Sequence, residues 1–300
     1  MDAFALLRLI AFAAAMMPGL AAAHHVEGTP GLASWNFDPD VAIPLATSGL
    51  LYAIGLGRLW RRAGRGRGIT GAQAARFAGG WLLLVASLMS PLDALGEWLF
   101  SAHMVQHELL MAVAAPLLVL GRPLEAWTWA MPAAWRPTLG RLGHARALRA
   151  PWRVLTDPLG AWTVHAIALW VWHVPPFFRA ALARPALHAV QHACFLGTAL
   201  LFWWAVFGRG VRQPGGSSLA GLYTTMMHSG ALGALLTFAP TVWYGYAAER
   251  TEAFHLTPLE DQQLGGLVMW GPGGLAYLVA SLFIVAAWMR RGNIAPASFR

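Results

Sequence analysis

The stretch HMVQHELLM, from His103 to Met111, sets two imidazoles four residues apart and a carboxylate, Glu108, inside an otherwise apolar run. LHAVQHACF repeats the arrangement with His188 and His192. On a helix, residues i and i+4 lie about 40° apart around the axis and about 6 Å apart along it, so each pair shares a face. Four imidazoles brought to one depth can bind one or two metal ions. Met111 follows His107 at the same spacing and offers a thioether. Cys194, the single cysteine of the chain, lies about 200° around the helix from His192 and points elsewhere. One cysteine excludes an internal disulfide and any CxxC motif. The donors left are His, Met and carboxylate. Imidazole with optional thioether suits copper best, while zinc and a bis-imidazole haem also fit an imidazole set.

The remaining polar residues divide by environment. His173 closes an apolar run, and His228 follows Met226 and Met227, of which helix geometry lets at most one join it. His165 reads as an interhelical hydrogen-bond partner. Asp93 and Glu97 form another i,i+4 pair, either orienting ligating imidazoles or sitting as solvated helix-end charges. Glu108 lies about a turn inside an apolar run and needs a partner or a proton. It can serve as ligand, proton relay or neutral hydrogen-bonded acid.

The elements that must position these groups are membrane helices. Of 300 residues, 57% are hydrophobic and 11% charged, and the mean hydropathy is +0.51. Apolar runs recur that are too continuous for the alternating pattern of a barrel, which leaves helices as the spanning structure. The expected fold is an all-α polytopic membrane protein. Seven spans near 41–60, 76–95, 102–120, 158–174, 188–207, 219–240 and 264–288 follow an N-terminal segment, residues 1–23, that reads as a signal peptide or an anchor helix. Residues 24–40 form an outer segment, 41–290 the membrane domain and 291–300 a cytoplasmic tail. Ala21 and Ala23 fit an A-x-A cleavage site. Cleavage there would free the amine of His24, and His24 and His25 would become a tentative N-terminal metal site.

Every basic side chain is Arg, with no Lys. The arginines crowd the connections after the first, third and fifth spans and the C-terminal tail. That distribution argues for topology and against nucleic-acid binding. It puts the C-terminus in the cytoplasm of a bacterial cell and the mature N-terminus outside the inner membrane. His103, His107, His173, His188 and His192 then sit toward the outer side. Trp35, Trp98, Trp127, Trp170, Trp172, Trp243 and Tyr244 read as interfacial anchors. The Arg-rich loop 121–157 reads as a segment on the inner lipid surface.

HMVQHELLMAVAAPLLVLGRP, LWVWHVP, LHAVQHACFLGTALLFWW, MMHSGALGALLTFAP and DQQLGGLVMWGPGGL together resemble the CtaG family of caa3-type cytochrome c oxidase assembly factors, over about residues 35–290. The resemblance implies a seven-span inner-membrane protein of respiratory-chain maturation that supplies copper to an oxidase subunit without catalysing a reaction. By position it implies His103, His107, His173, His188, His192 and His228 as metal-associated residues. Glu108 departs from the apolar residue expected there. Two other readings stay open: a haem-binding membrane redox protein, and a metal-dependent intramembrane enzyme with Glu108 as general base. A copper importer fits less well, because polar residues thin out below His228.

Overall fold

The computed structural model describes residues 35–207 and 215–292, and among them the only regular structure is helical. The expected signal or anchor segment, with His24 and His25, lies outside the described residues, as do Arg209, Arg212 and residues 293–300. Thirteen helices are numbered here in chain order. The first four are α1 (Pro39–Ala63), α2 (Gly71–Leu88), α3 (Pro91–Gly96) and α4 (Phe100–Leu120). Then come α5 (Pro123–Ala130), α6 (Arg136–His144), α7 (Arg146–Leu155), α8 (Pro158–His173) and α9 (Pro175–Ala183). The last are α10 (Pro185–Phe207), α11 (Gly216–Thr237), α12 (Ala248–Glu252) and α13, which runs as Pro258–Val268, Met269–Gly273 and Gly274–Gly292.

Helix starts follow from local chemistry. Thr70 with Gln73 and Thr257 with Glu260 form reciprocal capping boxes, and Asp38, Ser90 and Asp157 each cap the helix that follows. Pro39, Pro91, Pro123, Pro158 and Pro258 occupy first-turn positions, where a missing N–H costs nothing.

Four helices are long and apolar enough to cross a membrane: α1, α4, α10 and α13. A fifth crossing arises if α7 and α8, bent by 70° at Asp157–Pro158, count as one broken span. The protein is therefore a multi-pass helical membrane protein. The expected count of seven is not met on length and composition. At 16 residues α8 covers about 24 Å, short of a hydrocarbon core of about 30 Å. α2 has 18 residues and carries Gln73 and Arg76 in its first turns, and Thr, Ser, His and Gly dilute α11. Large apolar side chains such as Ile43, Leu82, Ile167, Leu235, Leu275 and Phe283 stay exposed on the bundle exterior, as a lipid-facing surface requires.

Three expectations about elements are corrected. The second span ends at Leu88 instead of 95, because Ser90 and Pro91 open a new helix, so Asp93 and Glu97 do not extend a long one. Within 121–157, α5 is not a surface segment. Pro123, Leu124, Ala126, Trp127 and Ala130 are buried, and the Trp127 Nε1–H donates to the Ser48 carbonyl of α1. Trp127 and Tyr244 are therefore core residues and not interfacial anchors. Finally, α4 and α13 each contain a π-helical turn, Leu109–Ala114 and Met269–Gly273. Met111 lies inside the first of these turns. Its carbonyl accepts from Trp203 Nε1 at 2.8 Å.

Candidate metal centre

The N-terminal half of α4 presents His103 and His107 on one face, and the start of α10 presents His188 and His192 on one face. The structure brings the two pairs together. Ring centroids lie 4.2 Å apart for His103–His107, 4.2 Å for His188–His192, 5.0 Å for His103–His188 and 5.1 Å for His107–His192. One ring nitrogen from each of His103, His188 and His192 falls within 4.8 Å of the others, a spacing that three ligands of one ion can adopt. His173, from the end of α8, adds a fourth direction, 6.5 Å from the His107 ring.

Hydrogen bonding fixes what these rings can do. The Leu169 carbonyl can only accept, so the 2.7 Å contact with His173 places the proton on Nδ1 and leaves Nε2 as a lone pair. That Nε2 is buried without a partner among the described residues, as are both nitrogens of His103 and His107 and the Nε2 atoms of His188 and His192. Gly96 and Gln191 lie beside His103 without reaching hydrogen-bonding geometry. Buried polar atoms are normally paired, so these imidazole nitrogens form a donor set able to hold an ion.

The groups around the cluster hold its helices. The Asp261 carboxylate, fully buried on α13, accepts from the backbone N–H of Phe100 at 2.6 Å and of Ser101 at 3.1 Å, and from the Ser101 hydroxyl at 2.5 Å. α4 has no cap of its own at Leu99, so a carboxylate from another helix supplies it. Gln106, between the two histidines of α4, donates to the Ser87 carbonyl at 2.7 Å and to Asp93 at 2.8 Å. Asp93 also accepts from Asn36 at 3.0 Å and lies within electrostatic reach of His188, but no imidazole among the described residues hydrogen-bonds to it. The connection 238–257 straps the site: Tyr244 donates to the His173 carbonyl, Tyr246 to that of Gly96 and Arg250 to that of Glu97. Burial, with Asp261 and Glu97 nearby, holds the Tyr246 phenol well above its ordinary pKa, so it remains a donor. Above the cluster a cavity of about 1050 Å³ reaches His103, His188 and His192 past Asp38, Asp93 and Arg179.

Two sequence-predicted residues stand apart. His228 faces Trp162, 5.7 Å between rings, and is not one of the clustered rings. Glu108 stands against α13, where a methyl group at Gly273 would come within 2.7 Å of its Oε2. Sequence reasoning missed Gln106, Gln191 and Asp261 as parts of the site. A polar residue inside an apolar run was the available signal for the two glutamines.

Fold and site together define a class: a multi-pass helical membrane protein that buries a knot of imidazoles at one end of its bundle. Within that class the chain belongs to the cytochrome c oxidase caa3 assembly factor family, whose model matches residues 50–291. It is 26% identical over 271 residues to uncharacterised proteins of Mycobacterium bovis and Mycobacterium tuberculosis, covering 87% of this chain and 40% of each relative. An uncharacterised protein of Mycobacterium leprae is 25% identical over 277 residues, with 86% of this chain and 40% of the relative covered. The chain thus spans about 40% of the length of the curated relatives it matches. No solved structure matches.

Proposed function

We propose that the chain binds copper on its outer histidine cluster and passes it to a cytochrome c oxidase subunit during assembly, by ligand exchange and not by catalysis. The observation that carries this reading is the convergence of His103, His188 and His192 within 4.8 Å, with both nitrogens of His103 and the Nε2 atoms of His188 and His192 unpartnered among the described residues. Thiolates are absent from that set, and imidazole donors suit copper, with zinc the nearest competitor. His107 and His173 complete the coordination or receive the ion in transit. The cavity above the cluster, bordered by the 35–41 segment and the 245–250 strap, is the docking face. The protein sits in the bacterial inner membrane as seven crossings, with this cavity outside and the arginine-rich connections in the cytoplasm.

The centroid spacings of 4.2–5.9 Å among the four rings of α4 and α10 count against a haem held between those two helices. Two axial imidazoles on opposite faces of one iron, each bound at about 2 Å, hold their ring centres more than about 6 Å apart. Against the enzyme reading, the metal-capable group among the described residues contains no carboxylate, and Glu108 faces α13.

The test is elemental mass spectrometry of the protein purified gently from copper-replete membranes, beside a His103→Ala/His107→Ala variant. Near-stoichiometric copper in the first and none in the second is the expected result. Equal metal in both would remove the cluster as the site, and iron with a Soret band would replace copper with haem.

A further inference from the structure

Inside the arginine-rich connection, α7 divides into three faces. Counted at about 100° per residue, Leu148 and Trp152 share one sector, Ala150 and Val154 the next, and Arg146, Arg149 and Arg153 the third. Burial follows the same division. Trp152 is 1% exposed and packs edge-on to Trp204 of α10, and Leu148 packs against the core, so the first face holds α7 to the bundle. The second face is apolar yet uncovered, with Val154 65% exposed. The third carries three like charges at i, i+3 and i+7, spacings at which neighbours repel. Among the described residues none hydrogen-bonds or ion-pairs with these three arginines. Arg136, by contrast, spends its guanidinium on the Trp129 and Met131 carbonyls. From 126 to 156 the chain has five arginines and no acid, and Asp157 beyond them caps α8.

We propose that α7 is a docking helix for the headgroup of an anionic phospholipid. The 70° bend at Asp157–Pro158 turns α7 out of the direction of α8, so with α8 crossing the bilayer α7 lies along its surface. In that pose the bare apolar strip meets acyl chains and the arginine stripe stands at headgroup depth, the arrangement of an interfacial helix. A lipid phosphate against the stripe relieves the repulsion among the guanidiniums, whose planar donors match its oxygens. An acidic soluble partner would satisfy the arginines but leave Ala150 and Val154 in water. The inference rests on the seven-crossing reading for the pose of α7 and for the leaflet, the cytoplasmic one. It is independent of the copper reading.

The experiment titrates the full chain in detergent with phosphatidylglycerol, or with phosphatidylcholine of the same acyl chains, and counts retained lipid by native mass spectrometry. Wild type should hold phosphatidylglycerol in preference, and R149Q/R153Q should hold it about 30-fold more weakly. R61Q/R67Q, which takes the same charge from the turn after α1, should hold it as wild type does. Equal binding of the two lipids overturns the site, and equal loss in the two variants reduces it to diffuse charge. Displacement by inorganic phosphate at equal concentration overturns it in favour of a free anion. A depth measurement separates these failures from that of the topology. A nitroxide attached to V154C in a C194S background, in bilayers, should sit just below the headgroups, shielded from a water-soluble nickel chelate. A label at the bilayer centre would make α7 half of a broken span, and the seven-crossing reading would fall with the pose. A shallow label with no preference for phosphatidylglycerol would overturn the lipid site alone.

Discussion

At the scale of single residues, the cluster ranks its own members. His103, His188 and His192 hold ligand atoms within 4.8 Å, whereas the His173 ring stands 6.5 Å from that of His107. Alanine at any of the three should therefore abolish tight copper binding. Alanine at His173 should weaken it about 10- to 100-fold, the range seen when a group supporting the ligands is lost. Competition with a copper(I) chelator measures both, and a His173 variant as damaging as the trio would redraw the site around His107. The two HxxxH pairs were legible in the sequence because helical spacing alone puts i and i+4 on one face. His165 was not legible as more than a hydrogen-bond partner. Thr198 spends its proton on the Cys194 carbonyl, which puts the His165 ring proton on Nδ1 and leaves Nε2 a buried lone pair, a property of folded neighbours. Glu108 was legible as an anomaly but not as a neighbour of Gly273, since that contact joins residues from opposite ends of the chain.

Among the elements, α4 depends on α13 twice. Asp261 caps its first turn, and Gly273 leaves room for Glu108. Asp261→Asn should lower the melting temperature in detergent by the equivalent of about 1.5–3 kcal/mol, the worth of hydrogen bonds to a charged acceptor. Copper stoichiometry at saturation should stay unchanged, because the cap positions the helix and touches no imidazole. Loss of all copper at an unchanged melting temperature would instead make Asp261 a direct participant. Gly273→Ala should destabilise by about 1–3 kcal/mol, as an added methyl in a packed interior does. In a Glu108→Ala background the same change should cost less, since the carboxylate it meets is gone. Additive effects in that double-mutant cycle would show that the two residues do not communicate. The π-helical turns in both helices lie beside this contact and begin past His103 and His107, so regular-helix spacing placed that pair on one face correctly. Spacing within one turn survives a bulge further on, and spacing across it does not.

For the whole molecule, the number of membrane crossings decides which side the histidine cluster faces. Hydropathy reads seven apolar segments, and length and composition support four or five crossings. Two shorter helices run alongside the crossing ones. The α2 helix starts beside the arginine-rich end of α1, where Trp60 donates to the Ile69 carbonyl, and finishes where Asn36 bonds the Met89 carbonyl near the start of α1. It therefore runs the length of its neighbour despite its polar first turns. The α8 helix likewise begins next to α7, whose Trp152 packs edge-on to Trp204 near the end of α10, and ends at His173 in the cluster. A helix of 16 residues can cross where neighbours shield its ends or the bilayer thins, at a cost of a fraction of a kcal/mol per Å of mismatch. The proposed seven-crossing arrangement has Arg58, Arg61, Arg62, Arg65 and Arg67 inside and the histidine cavity outside. Reporter fusions after residues 66, 134 and 212 should then be active in the cytoplasm, and fusions after 97, 183 and 252 outside it. If the fusions after 66 and 97 report the same side, α2 does not cross, the parity of every later segment shifts, and the cluster faces the cytoplasm.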